Sequence, residues 1–258
     1  MKIFVCIKRV PHTATKLRMA PDETGSPSRS IQTQGVEFTM SPYDEIALAE
    51  AVRLKEEAGS GEIVAVSVGD DSSLVILRTA LAMGADSAIH VRAETPTGLE
   101  LDGFQISTAL AGLLREKSFD LICFGRLAVD DQSSQVGTMT ARLLGVPSVA
   151  DVIKVEAAEG SLRLHHTVEG KVEVVECKLP AVMTAQKGLA EPRYPAIKQI
   201  LMAKKKPCET IEAEVPEPAL ETISLEPPPA RSPGRIVGEG AEAVPELLRL
   251  LTEEAKVI

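Results

Sequence analysis

Short, predominantly apolar runs alternate with helical patterns through the first two-thirds of this chain. The apolar runs are Ile3-Phe4-Val5-Cys6-Ile7, Glu62 to Gly69, Ala88-Ile89-His90-Val91 and Asp120 to Gly125. A strand that is apolar at nearly every position needs cover on both faces, which is the habit of parallel sheets. Helical patterns separate the runs, at Pro42 to Ala58, Ser72 to Met83, Gly103 to Lys117 and Gln135 to Leu144. In the first of these, Ile46, Leu48, Ala49, Val52 and Leu54 supply the apolar positions. Asp44, Glu45 and Glu50 lie toward its positive N-terminal end, and Gly59 and Gly61 stop it. Strand, helix, strand repeated in this way predicts an α/β fold with a parallel sheet between helical layers.

Such sheets bind ligands beyond the carboxyl ends of their strands, near the switch in strand order. That rule directs attention to Lys8–Pro11, Met40–Asp44, Gly69–Asp71 and Gly125–Gly137. The last segment, GRLAVDDQSSQVG, follows a strand and opens a helix. Its hydroxyls and backbone N–H groups could hold a phosphate at the helix N-terminus. Asp130 and Asp131 would repel an anion, so capping the helix or meeting a ribose hydroxyl suits them better. Neither GxxxxGK[ST] nor GxGxxG occurs there, and an N-cap cluster without a ligand has equal weight. The pairs Asp44-Glu45 and Asp70-Asp71 sit at expected helix starts, where capping explains them better than acid–base catalysis. His12, His90, His165 and His166 form no catalytic or metal-binding pattern.

After Val149 the pattern turns antiparallel. Asp151 to Val175 alternates, with turns expected at Glu159-Gly160 and Glu169-Gly170. Leu179 to Ala185 reads as one more buried strand. A polar loop then runs from Gln186 to Tyr194, with Leu189 as an isolated large apolar residue. A helix and the run Lys204-Lys205-Lys206 follow, the lysines reading as a solvated face or a contact for an acidic partner. Pro207 to Arg235 reads as an extended arm, because Pro227-Pro228-Pro229 and Ser232-Pro233-Gly234 cannot continue a regular element. A helix from Ala243 to Lys256 closes the chain. The expected division is a domain over 1–206 and an arm with terminal helix over 207–258.

Composition narrows the function. Of 258 residues, 44% are hydrophobic and 25% charged, enough for a packed core in a soluble protein. Aromatics are only 3% and the net charge is −9, which disfavours nucleic acid as a partner. Cys6, Cys123, Cys177 and Cys208 lack CxxC spacing, so no metal site is indicated, and buried reduced thiols suit a reducing compartment. No apolar run approaches bilayer length, and the first residues read as a strand and not a signal peptide.

The segment from Cys177 to Pro207, with Leu189 in its loop, resembles the signature region of the beta subunit of electron transfer flavoprotein. So do Ile7-Lys8-Arg9-Val10, Met40 to Ala47 (with Ser41 where the family usually has Asn) and Arg78 to Asp86. Val129-Asp130-Asp131 with Gln135, Gly137, Met139, Thr140 and Ala141 matches the family's nucleotide loop. The resemblance implies an adenine nucleotide hydrolase-like, Rossmann-like domain with an antiparallel addition and an extended C-terminal arm. It implies a structural AMP held by Cys6, Thr39, Met40, Ser41, Pro42, Val68, Leu127, Val129, Asp130, Asp131, Gln132, Ser133, Ser134, Gln135, Val136, Gly137 and Thr138. It implies a partner-recognition loop made of Thr184, Ala185, Gln186, Lys187, Gly188, Leu189, Ala190, Glu191, Pro192, Arg193 and Tyr194, with Leu189 as anchor.

The family's alpha subunit holds the redox FAD, which the beta subunit helps enclose, and the beta subunit alone performs little chemistry. Acyl-CoA-type or other flavin dehydrogenases donate electrons, and a quinone oxidoreductase receives them. The compartment implied is the cytoplasm of a bacterium or archaeon, or the mitochondrial matrix of a eukaryote. A variant branch instead carries a second FAD at the beta site, reduced by NADH, and bifurcates electrons. Pro11, Thr13-Ala14 and Gln135-Val136-Gly137 resemble that branch, whereas Lys8-Arg9-Val10 and Asp130-Asp131 resemble the AMP-binding one. Outside the family, the same architecture hosts adenylating enzymes and non-redox nucleotide-binding proteins. Lys8-Arg9-Val10-Pro11 is not the glycine-rich loop an adenylating enzyme needs.

Overall fold

The computed structural model describes residues 1–20, 28–93, 101–158, 160–230 and 233–258. In chain order the elements are β1 (Lys2–Cys6), β2 (Arg9–Pro11), β3 (Phe38–Met40), α1 (Pro42–Ala58), β4 (Glu62–Gly69), α2 (Leu74–Met83), β5 (Ser87–Arg92) and α3 (Gly103–Arg115). There follow β6 (Leu121–Gly125), α4 (Val136–Leu144), β7 (Ser148–Ala158), β8 (Ser161–Val168), β9 (Lys171–Lys178), β10 (Ala181–Ala185), α5 (Ile197–Ala203), β11 (Cys208–Glu212) and α6 (Val244–Arg249). Backbone contacts divide the chain into two units, Met1–Leu225 and Glu226–Ile258.

The first unit holds a nine-stranded sheet in the order β11-β5-β4-β1-β6-β10-β7-β8-β9. From β11 to β7 every pair is parallel, and β7, β8 and β9 extend the sheet as antiparallel strands. This is the α/β class expected, with the antiparallel addition where the alternation begins. The strand period of two sorts β1 between two cores. Ile3, Val5 and Ile7 join the cluster with Leu48, Ala51 and Leu77, under α1 and α2. Phe4 and Cys6 join the cluster with Leu110, Leu114 and Ala141, under α3 and α4. Apolar residues at both parities are what a strand buried on two faces requires.

The helix limits have local causes. Pro42 opens α1, where its missing N–H costs nothing. Gly59 and Gly145 end α1 and α4 in the left-handed region that glycine adopts most easily. Asp102 and Gln105 form a reciprocal capping box on α3.

Three elements differ from the sequence reading. Arg9–Pro11 pairs antiparallel with Phe38–Met40 as a separate ribbon, too short to show a period. Cys208–Glu212, read as the start of an irregular arm, is an edge strand whose neighbour is β5. The terminal helix is α-helical only over Val244–Arg249, after a 3₁₀ turn at Ala241–Ala243 and before a π turn at Leu250–Glu254. The turn at Glu169-Gly170 joins β8 to β9. In the expected turn at Glu159-Gly160, Glu159 lies outside the described residues, as does Ser232 in the arm. Gly160 has φ +71°. Among the described residues no helix is long and apolar enough to cross a membrane.

Candidate functional site

The chain leaves β1 toward β4 and β5 on one side and returns to place β6 on the other. Their C-terminal ends therefore splay apart at a switch point, where α/β sheets present crevices. A cleft of about 790 Å³, counted with its open mouth, lies there.

One wall is apolar: Val66 and Val68 from β4, Phe124 from β6, and Ile106 and Leu110 from α3. Gly103, Ile106 and Leu110 follow the i, i+3, i+7 spacing of one helix face, a signal that the sequence carries but that looks like ordinary core. The opposite end is polar. Asp131, Ser133, Ser134 and Gln135 lead into Val136 and Gly137 at the start of α4. Gln132 and Ser134 take φ of +52° and +54°, left-handed conformations uncommon outside glycine that often mark ligand loops. Gln135, the N-cap residue, is right-handed and makes no side-chain cap bond. A left-handed residue followed by a right-handed one turns successive N–H groups toward one point, a concave seat for an anion. Gly137 allows close packing, since a Cβ there would sit 3.1 Å from Thr184 Cγ2 and 3.3 Å from Phe124.

Charges organise the floor. Asp44, 6% exposed, accepts the backbone N–H of Lys8 at 2.7 Å and of Gly125 at 2.9 Å. It thus ties α1 to the ends of β1 and β6 instead of capping its own helix, as the sequence reading had it. Asp70 does cap, accepting the N–H of Ser72. Burial lifts the Asp44 carboxyl to about 7, against the pull of its two N–H donors and Lys8. Lys8 Nζ bridges to Asp130 at 2.7 Å and Asp131 at 3.0 Å, pinning the loop to β1. Burial alone would lower the Lys8 pKa, but the two carboxylates outweigh it and hold it above its ordinary value. Burial raises Asp131, yet the Ser133 N–H and Lys8 bring it below the usual carboxylate range. Burial, reinforced by Asp44, pushes the Cys6 thiol well up, so Cys6 is an inert wall residue.

Of the residues implied for the nucleotide, Cys6, Val68, Leu127, Asp131, Ser133, Ser134, Gln135, Val136 and Gly137 line this cleft. Thr39 and the buried Met40 are on β3, and Pro42 opens α1. Ser41 is fully buried, and its hydroxyl donates to the Leu127 carbonyl at 3.4 Å, supporting the loop from behind. Val129, Asp130, Gln132 and Thr138 belong to the loop and helix start without lining the cleft. Lys8, Asp44 and Arg126 line it and were not among the implied site residues. Their signal was charge placed directly after a strand or in a first helical turn, which a cap explains equally well.

The implied recognition segment is heterogeneous. Thr184 and Ala185 are interior residues of β10, and the Thr184 hydroxyl accepts the Asp151 N–H at 3.0 Å. The surface loop therefore starts at Gln186. Lys187, Gly188, Glu191 and Arg193 are exposed, and Ala190 and Pro192 are half-buried. Leu189 is also half-buried and packs against the core under α1 and α2, contrary to the expectation of an isolated side chain. The exposed apolar residues are next along the chain: Tyr194 is 87% and Ile197 79% accessible. Arg193 pairs with Glu56 of α1 at 3.3 Å. Lys206, read as part of a solvated run, instead donates to the carbonyls of Leu81 and Ala85 at the end of α2.

Fold and cleft together define a Rossmann-like α/β protein with a cleft at the switch point of its sheet. Residues 29–216 match the electron transfer flavoprotein domain family. The chain is similar to the electron transfer flavoprotein subunit beta of Bacillus subtilis, 41% identical over 266 residues and covering 100% of both chains. It is 39% identical to the Bos taurus subunit beta and 38% identical to the human one, each over 239 residues and 91% of both chains. The chain belongs to the electron transfer flavoprotein family, with the beta subunits.

Proposed function

We propose that this chain is the smaller subunit of a heterodimeric electron transfer flavoprotein and that its cleft holds AMP. The observation that carries the nucleotide is the start of α4, which has no side-chain cap and where a left-handed Ser134 precedes a right-handed Gln135, a backbone that would turn N–H groups toward one anion. Ser133, Ser134 and the N–H groups of Val136 and Gly137 would hold the phosphate. Val66, Val68, Ile106, Leu110 and Phe124 would take the flat face of the base. Lys8, already neutralised by Asp130 and Asp131, keeps the loop in place and leaves the helix start to the anion.

A bound AMP supplies no redox chemistry, so its part is structural. The electron-carrying FAD belongs mainly to the alpha subunit, and this chain helps to enclose it. The Gln186–Tyr194 loop docks acyl-CoA-type or other flavin dehydrogenases, and a quinone oxidoreductase takes the electrons onward. Of the 207–258 arm, β11 and the segment after it belong to the first unit, and the part beyond Leu225 is what grips the partner subunit. In this reading the chain is a carrier subunit and not a self-sufficient enzyme, working in the cytoplasm or the mitochondrial matrix.

Mass spectrometry of the nucleotide released by acid from the purified protein tests the site. AMP supports the proposal. FAD released in excess of one per heterodimer would assign the cleft to the bifurcating type. Neither nucleotide would overturn the site.

A further inference from the structure

The wall of the cleft that comes from α3 is anchored by a segment far away in sequence. Asp102 caps α3 with Oδ1, which accepts the Gln105 N–H at 2.8 Å. Its other oxygen accepts the N–H groups of Ala219 at 2.5 Å and Leu220 at 2.9 Å. Gln105 is 1% exposed, and its side-chain amide donates to the Pro216 carbonyl at 2.8 Å. Between β11 and these anchors, Ala213 and Val215 pack on the core beneath α3 and α4. The 213–220 segment is therefore a strap bound to the first turn of α3.

From that turn the connection runs on to the cleft. Ser107 is fully buried, donates to the Gly103 carbonyl at 2.6 Å and lies 3.3 Å from the carbonyl of Val136. Gly103, Ile106 and Leu110 face the cleft from α3, and Val136 opens the helix at its polar end. Moving the first turn of α3 would shift the apolar wall and slacken the anion seat together.

We propose that the 213–220 strap is a latch on the nucleotide cleft and that Asp102 is the positioning residue that couples them. The inference rests on the nucleotide reading above. Asp102 serves both sides because a carboxylate offers two acceptor oxygens, one for the cap and one for the strap. Three backbone donors and the Phe104 N–H outweigh its partial burial and hold its pKa below the usual carboxylate range. Coupling of this kind is reciprocal: if the strap tightens the cleft, a bound nucleotide must tighten the strap.

Asp102→Asn separates the two roles. Asn caps a helix as well as Asp, but its single oxygen cannot serve Gln105 and the strap at once. Ala219→Pro removes one strap donor from the opposite side and leaves Asp102 intact. The full-length chain and both variants, first freed of any nucleotide retained through purification, would be titrated with AMP, and separately with FAD, by calorimetry. Amide hydrogen exchange over residues 213–220 would be followed with and without nucleotide, and circular dichroism would verify folding.

In the wild type, nucleotide should slow exchange at Leu220. In both variants exchange there should speed up and AMP affinity should fall about tenfold, within the usual span of coupling energies. If the wild type binds neither AMP nor FAD, the nucleotide reading falls and the latch with it. If the wild type binds and either folded variant binds equally well with its strap amides exchanging freely, the latch alone falls.

Discussion

The Asp44 carboxylate accepts the backbone N–H of Gly125 at 2.9 Å, so the first turn of α1 is bonded directly to the end of β6. Its other oxygen takes the Lys8 N–H at the end of β1. One side chain thus sets the separation of the two strands between which the cleft opens. Asp44→Asn should cost about 1–3 kcal/mol, because one of the two N–H donors would then face an amide NH₂ instead of an acceptor. The cost should depend on pH. Burial raises the Asp44 pKa from 3.8 to about 7, so across that window the folded state binds a proton that the unfolded state has released. The Asp44 contribution is therefore greatest on the acid side and declines as pH rises toward about 7. Urea unfolding at pH 5 and pH 8 would measure this. The wild type should exceed the Asn variant by more at pH 5, and an equal margin at both would mean that Asp44 does not titrate there.

Gly125 is required by the same approach. A Cβ at this position would lie 2.8 Å from the Asp44 backbone nitrogen and 2.8 Å from the Tyr43 carbonyl carbon. Those are backbone atoms and cannot step aside as a side chain can. Gly125→Ala should cost about 3 kcal/mol, the upper end of overpacking, and should weaken any ligand of the cleft as well. An unchanged denaturation midpoint would show that α1 can retreat without loss.

Much of the sheet was legible because its strands are buried on both faces. Phe4 and Cys6 on one side of β1, and Ile3 and Val5 on the other, leave no parity for a polar residue. Strand β11 was not legible for the opposite reason. Cys208-Glu209-Thr210-Ile211-Glu212 lies at the sheet edge among prolines, and its pairing with β5 supplies what its composition does not. The loop at α4 was visible as a strand-to-helix turn. The roles of Lys8 and Asp44 were not, because a charge beside a helix start reads alike whether it caps that helix or crosses to another element. The burial of Leu189 depends on where the chain returns over the core, which local polarity does not record.

Lys206 closes α2 from outside the helix. Its ammonium donates to Leu81 O at 2.9 Å and Ala85 O at 2.6 Å, carbonyls that the end of a helix leaves free. Arg78 of the same helix returns the contact, donating to the carbonyls of Lys206 at 3.1 Å and Ala203 at 3.3 Å. Lys206→Met keeps the length and removes the donor. The expected loss is about 1–2 kcal/mol, toward the low side for charged hydrogen bonds because the site is partly wet. Lys204→Met and Lys205→Met, at exposed positions, should change stability by less than about 0.5 kcal/mol. Equal effects at all three positions in chemical denaturation would mean that the carbonyl contacts contribute nothing.

The proposed docking role of the loop can be dissected with two residues that differ in burial. Leu189 is half-buried and packed on the core, whereas Tyr194 is 87% exposed. Burying a Leu fully is worth roughly 1.5–3 kcal/mol, and most of that is already realised within this chain. Leu189→Ala should therefore lower the melting temperature measurably. If Leu189 also enters a pocket on a dehydrogenase, only the remainder, about 1 kcal/mol or less, is available, which limits the loss of affinity to about fivefold. Tyr194→Ala removes an exposed ring that the fold does not use, so stability should change by less than about 0.5 kcal/mol. Its effect on affinity should equal or exceed that of Leu189→Ala, because the whole ring remains to be buried by a partner. Melting curves paired with steady-state electron transfer from a donor dehydrogenase would separate the two. A Tyr194 variant with unchanged Km for the flavoprotein, beside a Leu189 variant that loses affinity tenfold or more at constant melting temperature, would place the anchor on Leu189 and show that its packing against the core is dispensable.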